Sequence, residues 1–307
     1  MRSENKADAS SEPLPKLADL VDHIDELPLL PNVVVRLIGL DQHDENYFED
    51  VTALASEDPP LAAQLIKIAN SPMSAPAEPI VSIASAVTRL GAQFVASLVT
   101  SLAVTRVFVP TNNSQKRLWV HSINTALGAR LITRSLPTIA HLNEAAYLAG
   151  LLHDIGRFIM FEQTPELLQQ VEETHWATPD ELLEVELKNF RFNHSELGYL
   201  AAKKWSFPNM IAETIRNHHV RFRIGQSGLP HQTEWLLMAV VTADCLAATL
   251  LDRPDFAEME DESVAERVAG CLRPEWQLLP IDQEFLMGSL AEIHDGGQQL
   301  ARHLGVL

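Results

Sequence analysis

The segment YLAGLLHDIGRFIM, Tyr147–Met160, sets a histidine beside an aspartate in the middle of an apolar run. Its apolar spacing is helical, and the flanking pattern extends the predicted helix over 141–161. Leu151 and Leu152 precede the pair and Ile155 follows it. That frame makes both groups expensive. A buried carboxylate needs a cation or several hydrogen-bond donors, and a buried imidazole needs a partner for its second nitrogen. A divalent metal answers both needs at once, because neutral imidazole and ionised carboxylate are common ligands for zinc, iron and manganese. A satisfied core pair would answer them too, so the dipeptide alone leaves two readings open. It is also one of three: His43-Asp44 lies in the polar stretch DQHDEN and His294-Asp295 precedes Gly296-Gly297, both expected at the surface.

Outward from this segment the apolar spacing stays helical almost everywhere, and no run of alternating residues marks a strand. The expected fold class is all-α. Residues 1–16 read as a polar, disordered tail with Pro13 and Pro15. A helical lobe follows over 17–110, opening on an apolar face of Leu17, Leu20, Val21 and Ile24 and punctuated by LPLLP at 27–31. Within it Pro59 and Pro60 suit the first turn of a helix, and Gly91 divides helices at roughly 82–90 and 92–108. The PTNN linker leads into a bundle over 111–250, with helices at 115–134, 141–161, 165–175, 180–189, 194–204, 208–220 and 233–251. Residues 251–307 form a C-terminal extension with helices at 262–271 and 282–304. The last is amphipathic, which suits either a homodimer contact or packing on its own bundle.

Apolar residues make up 46% of the 307, enough for a sizeable core. The net charge of −18 repels phosphate backbones, which argues against direct binding of nucleic acid or an anionic membrane. It leaves room for a small phosphorylated ligand, since a metal or an arginine reverses the sign inside one pocket. The apolar stretches 92–109 and 236–251 are interrupted by Gln93, Arg106 and Asp244, so they read as core helices rather than membrane spans. The polar start MRSENKADASSEP has no apolar leader, and a cytoplasmic protein is expected. Cys245, inside an apolar helix, reads as a buried free thiol.

The bundle offers company for His153 and Asp154. His121 lies in LWVHSINTALGARLI, and Asp244 in LLMAVVTADCLAATLL, the most apolar helix of the chain. His194 opens HSELGYLAAKKW, and His218-His219 closes MIAETIRNHH. Each has a structural alternative: a turn residue for His194, a favourable helix C-terminus for His218 and His219, a satisfied core group for His121 and Asp244. Seven such residues in one bundle weaken those alternatives together.

The order His, His-Asp, His, His-His, Asp resembles the HD superfamily of metal-dependent phosphohydrolases. LPLLPNVVVRLIGL, EDPPLAAQLIKIANSP and SIASAVTRLGAQFVASLV in the first lobe narrow the resemblance to the HDOD family, the HD-related output domain of bacterial signalling. The resemblance covers about 25–220. It implies an HD-like helical bundle behind an N-terminal helical lobe, in a regulatory protein that works as an output or protein-interaction module. The alternative it implies is a phosphohydrolase or phosphodiesterase acting on a nucleotide or cyclic dinucleotide second messenger. By the same resemblance His121, His153, Asp154 and Asp244 would hold one divalent metal (iron, manganese or zinc), and His194, His218 and His219 a second. Asp154 would orient a water, and Arg157 would grip a phosphate. Arg157 stands where HD-GYP phosphodiesterases carry lysine, and Gly228-Leu229-Pro230 is a distant echo of their GYP element. The acidic surface favours a signalling partner with a basic patch.

Overall fold

The computed structural model describes residues 32–40, 44–71, 78–174, 179–220, 225–252, 261–271 and 281–307, with the single positions 17, 20, 42, 74 and 76. The 1–16 tail, the LPLLP punctuation, Val21, Ile24 and His43 lie outside the described residues. Among the described residues fifteen α-helices run from Asn32 to Leu304 and no strand forms, so the fold is all-α.

Five helices build the N-terminal lobe: α1 (Asn32–Ile38), α2 (Tyr47–Ser56), α3 (Pro59–Ala69), α4 (Ile83–Leu90) and α5 (Ala92–Thr105). The two prolines open α3 as expected, and the Asp58 side chain accepts from the Leu61 N–H at 3.0 Å. At Gly91, φ is +87°, a value that favours glycine, and there the chain turns 110° from α4 into α5. Every residue of α5 from Val95 to Val104 is buried. Such all-round burial makes it a central helix of the core, packed against α1 to α4 and against helices that follow it in the chain.

The bundle is organised on α6 (Asn113–Ser135), which is also buried around most of its circumference. Around it come α7 (Asn143–Leu152), α8 (Ile155–Gln163), α9 (Pro165–Glu173), α10 (Pro179–Phe190), α11 (His194–Lys204), α12 (Asn209–Asn217) and α13 (His231–Asp252). Trp119 of α6 is fully buried against Phe158, and its indole N–H donates to the Phe108 carbonyl at 3.0 Å, pinning the linker between lobe and bundle. The window His231–Leu251 is long and apolar enough to cross a membrane, yet 72% of it is buried inside the protein. It is a core helix here.

Two expectations need correcting. The predicted helix 141–161 is two helices, because α7 stops at Leu152 and α8 starts at Ile155. Cys245 is disulfide-bonded rather than a free thiol. Its helix packs against α14 (Asp261–Cys271), which ends on the chain's other cysteine. The C-terminal α15 (Gln283–Leu304) packs on α6, α13 and α5, with Leu286, Leu290, Ile293, Leu300 and Ala301 buried. Its apolar face is therefore used within the chain.

Candidate metal centre

The break between α7 and α8 is what aims His153 and Asp154. His153 keeps helical backbone angles, and its Nδ1–H donates to the Gly150 carbonyl at 2.8 Å. Asp154 leaves the helical region (φ −97°, ψ 17°) before α8 resumes. The new helix direction brings Gly156 onto the start of α11, where a β-carbon on residue 156 would overlap the His194 carbonyl. His194 is the first residue of α11, and that helix end is capped by Asn193, whose side chain accepts from the Glu196 N–H at 2.9 Å. His218 and His219 follow α12 directly, in a turn rather than in the helix as expected. The His218 Nδ1–H donates to the Ile215 carbonyl at 2.7 Å. His121 and Asp244 come from α6 and α13, which lie side by side.

All seven residues named from the sequence meet at one point. Asp154 sits between two groups. One carboxylate oxygen, Oδ2, lies 3.5 Å from His153 Nε2 and 3.9 Å from His121 Nε2. Asp244 Oδ1 closes that group at 3.0 Å from His121 Nε2 and 3.6 Å from His153 Nε2. The other oxygen, Oδ1, lies 3.2 Å from His194 Nε2 and 3.6 Å from His218 Nε2. His219 Nε2 joins this second group, 3.0 Å from His194 Nε2. Potential ligand atoms of Asp154, His194, His218 and His219 all lie within 4.8 Å of one another, as do those of His121, His153 and Asp154.

The donor chemistry fits a cation. A carbonyl or an ionised carboxylate can only accept, so the Nδ1 atoms of His153, His194 and His218 carry the protons they donate. When these rings are neutral, their Nε2 atoms are bare lone pairs. His194 and His218 then point two lone pairs at each other across 3.3 Å. Only a cation or extra protons between them makes that arrangement favourable. Electrostatics agree. Burial disfavours charge on His153 and His194, but neighbouring carboxylates outweigh it and hold both pKa values up at about 9. Burial likewise opposes ionisation of Asp154 and Asp244, and the surrounding imidazoles overcome it, leaving both carboxyls well below their usual range. Burial, reinforced by the neighbouring imidazoles, pushes His218 and His219 down.

Five of the seven residues are buried, whereas His219 and Asp244 are half-buried and mark the side facing solvent. Arg157 is buried with Nη1 3.8 Å from Asp154 Oδ2, at the rim of the first group. Of the other His-Asp dipeptides, Asp44 and Asp295 are exposed and His294 is half-buried. One residue went unread in the sequence. Glu186 of α10 is fully buried, and its Oε2 accepts from the His194 Nδ1–H at 2.7 Å and the His194 backbone N–H at 2.9 Å. Its signal was spacing: Leu182, Glu186 and Phe190 fall at i, i+4 and i+8, a carboxylate in the buried stripe of its helix.

Fold and site together define an all-α protein with a buried histidine–aspartate cluster able to hold metal. Residues 27–221 match the HDOD domain, and the chain belongs to the HDOD family. It is 29% identical over 222 residues to an uncharacterized protein of Treponema pallidum (strain Nichols), a match covering 71% of this chain and 40% of that relative's length. Its fold is similar to a crystal structure of an HDOD domain protein of unknown function from Geobacter sulfurreducens, with TM-score 0.64 at 24% identity over 93% and 98% of the two chains. It is similar also to a candidate phosphohydrolase from Shewanella amazonensis, with TM-score 0.63 at 22% identity over 93% and 97%. At these identities the likeness is one of fold. The family match stops at residue 221, yet Asp244 at the centre lies beyond it.

Proposed function

We propose that this chain is a signalling regulator whose bundle holds two divalent metal ions and uses them for phosphate-ester hydrolysis, with nucleotide second messengers as the substrate class. One observation carries the reading: both groups of ligand types are complete, and the two oxygens of Asp154 divide between them. Asp154 would be shared by two ions, His121, His153 and Asp244 would hold one, and His194, His218 and His219 the other. When bound, such a pair lowers the pKa of a water and withdraws charge from phosphate oxygens. The chain's own part is to hold five imidazoles with Nε2 inward, to keep Asp154 ionised, and to offer Arg157 at the rim for a phosphate. The half-buried His219 and Asp244 leave a solvent side through which a substrate could enter, unlike a closed structural site.

A second reading has its own observation. Tyr47 of α2 donates to Glu144 of α7 at 3.1 Å, and Ser101 of α5 shares a 2.7 Å hydrogen bond with Tyr147 of α7. The helix that ends in His153-Asp154 is thus bonded to the N-terminal lobe, which suits an output module that passes metal or nucleotide occupancy to a partner protein. Metal analysis of the purified protein, then turnover of a generic phosphodiester and of cyclic dinucleotides, separates the readings. We expect about two ions per chain and turnover that Asp154→Asn abolishes. Two ions without turnover of any phosphate ester would leave the output module. A protein that takes up no zinc, iron or manganese would end both forms of the metal reading.

A further inference from the structure

We infer that Glu186 is a positioning residue for the second metal position: its buried carboxylate fixes the ring of His194 and adds negative charge behind it. The inference rests on the two-metal reading. The first group contains two carboxylates, Asp154 and Asp244, for two imidazoles. Among the described residues the second gathers three imidazoles, His194, His218 and His219, with one oxygen of the shared Asp154. A divalent ion there would have fewer carboxylates beside it than one in the first group. Glu186 stands directly behind it, one imidazole away.

The geometry is specific. Glu186 Oε2 takes both N–H groups that His194 presents on that side, the backbone at 2.9 Å and Nδ1 at 2.7 Å. Two bonds from one oxygen lock the ring's rotation as well as its tautomer, so Nε2 faces the second group. The Nδ1 atoms of His153 and His218 donate to backbone carbonyls instead. Among the described residues Glu186 is the only carboxylate bonded to the outer nitrogen of a site imidazole. A carboxylate behind a ligating histidine raises the ligand's basicity more than a carbonyl does, and loss of such a partner typically weakens metal binding by about 10–100-fold. Glu186 is fully buried, and its Oε1 has no hydrogen-bond partner. A buried carboxylate with one oxygen unpaired is costly, and a cation bound to His194, proton or metal, would offset it. Its helix neighbours Glu181 and Glu184 are exposed.

The test is a titration of chelator-stripped protein with Zn²⁺ or Mn²⁺, resolving the two binding steps by calorimetry. In Glu186→Gln, which keeps size and an acceptor, we expect one step to weaken by about 10–100-fold while the other is unchanged. Glu186→Asp, which keeps the charge, should recover part of the loss. A role confined to packing would instead lower the melting temperature of the metal-free protein and leave both binding steps in place. Two unaltered steps in a folded Glu186→Gln would overturn the inference while leaving the two-metal reading intact. No binding by wild type would overturn both. Should the variants not fold, ¹⁵N NMR of Zn²⁺-loaded wild type serves: the His194 Nδ1–H should resonate downfield of those of His153 and His218, and an Nδ1–H at or upfield of them would refute the assignment.

Discussion

Gly156 shows how one residue positions the centre. It lies in the first turn of α8, where an alanine would ordinarily gain about 1 kcal/mol of helix propensity over glycine. Here the added methyl would overlap the His194 carbonyl and press on its Cα, which is backbone and cannot swing aside. We expect the overlap to win. Gly156→Ala should destabilise the protein by about 1–3 kcal/mol or more, the range for overpacking in a tight core, and should cost metal binding through displacement of His194. Chemical denaturation and metal stoichiometry check it, and a stabilised variant would show that α8 and α11 can slide apart. The same scale separates legible from hidden residues. His121, His153, Asp154, His194, His218, His219 and Asp244 could be read because each polar group interrupts an apolar pattern or marks a helix end. Glu186 was hidden because LLEVELKNF carries two carboxylates, Glu184 and Glu186, and only the second turns inward.

Among the elements, α7 has two ends with different duties. Its C-terminal end delivers His153 and Asp154. Its N-terminal half carries Glu144 and Tyr147 into a buried junction with α2, α5 and α6. Arg130 of α6 lies in that junction, 4.3 Å over the Tyr147 ring, 3.9 Å from Glu144 and donating to the Gln93 carbonyl at 3.3 Å. Burial pushes the Glu144 carboxyl up, while Arg130 and the Tyr47 hydroxyl pull it back. Both charged side chains are nearly inaccessible, so removing one strands the other. Arg130→Met should therefore cost about 3–5 kcal/mol at neutral pH, and the double variant with Glu144→Gln should recover much of it. The loss should shrink as pH falls and Glu144 takes up a proton. A double-variant cycle by urea denaturation reads the coupling, and additive losses would mean that the pair does not interact. Helix identity was legible throughout the bundle, but the break inside 141–161 was not. Apolar spacing runs straight through it, and the close approach of Gly156 to a helix that begins 38 residues later has no local signal.

For the whole molecule, the all-α class and the order of helices followed from spacing, whereas closure of the site did not. Asp244 reaches His121 only because α13 lies along α6 after a long excursion of the chain. That closure concentrates four shifted imidazoles in one place, and their linkage predicts how the metal-free protein responds to pH. His153 and His194 have folded values of about 9 against 6.5 when unperturbed. Their contribution to stability is complete below pH 6.5 and is lost as pH rises through 9. His218 and His219 are shifted down, so the unfolded chain takes up protons there that the folded one refuses, and stability falls again below about pH 6.5. The ionised Asp154 and Asp244 add to the acid-side loss, because their depressed carboxyls must finally be protonated. Chelator-treated protein should thus melt highest near pH ~6.5 and progressively lower towards pH ~9. Metal needs those same nitrogens deprotonated, so its affinity runs the other way. The rise in melting temperature on adding Zn²⁺ or Mn²⁺ should grow over the window in which the metal-free protein weakens. Melting curves at fixed metal concentration across that range decide the matter: a metal-induced rise that is constant or shrinks with pH would mean that ions and protons do not compete for this cluster.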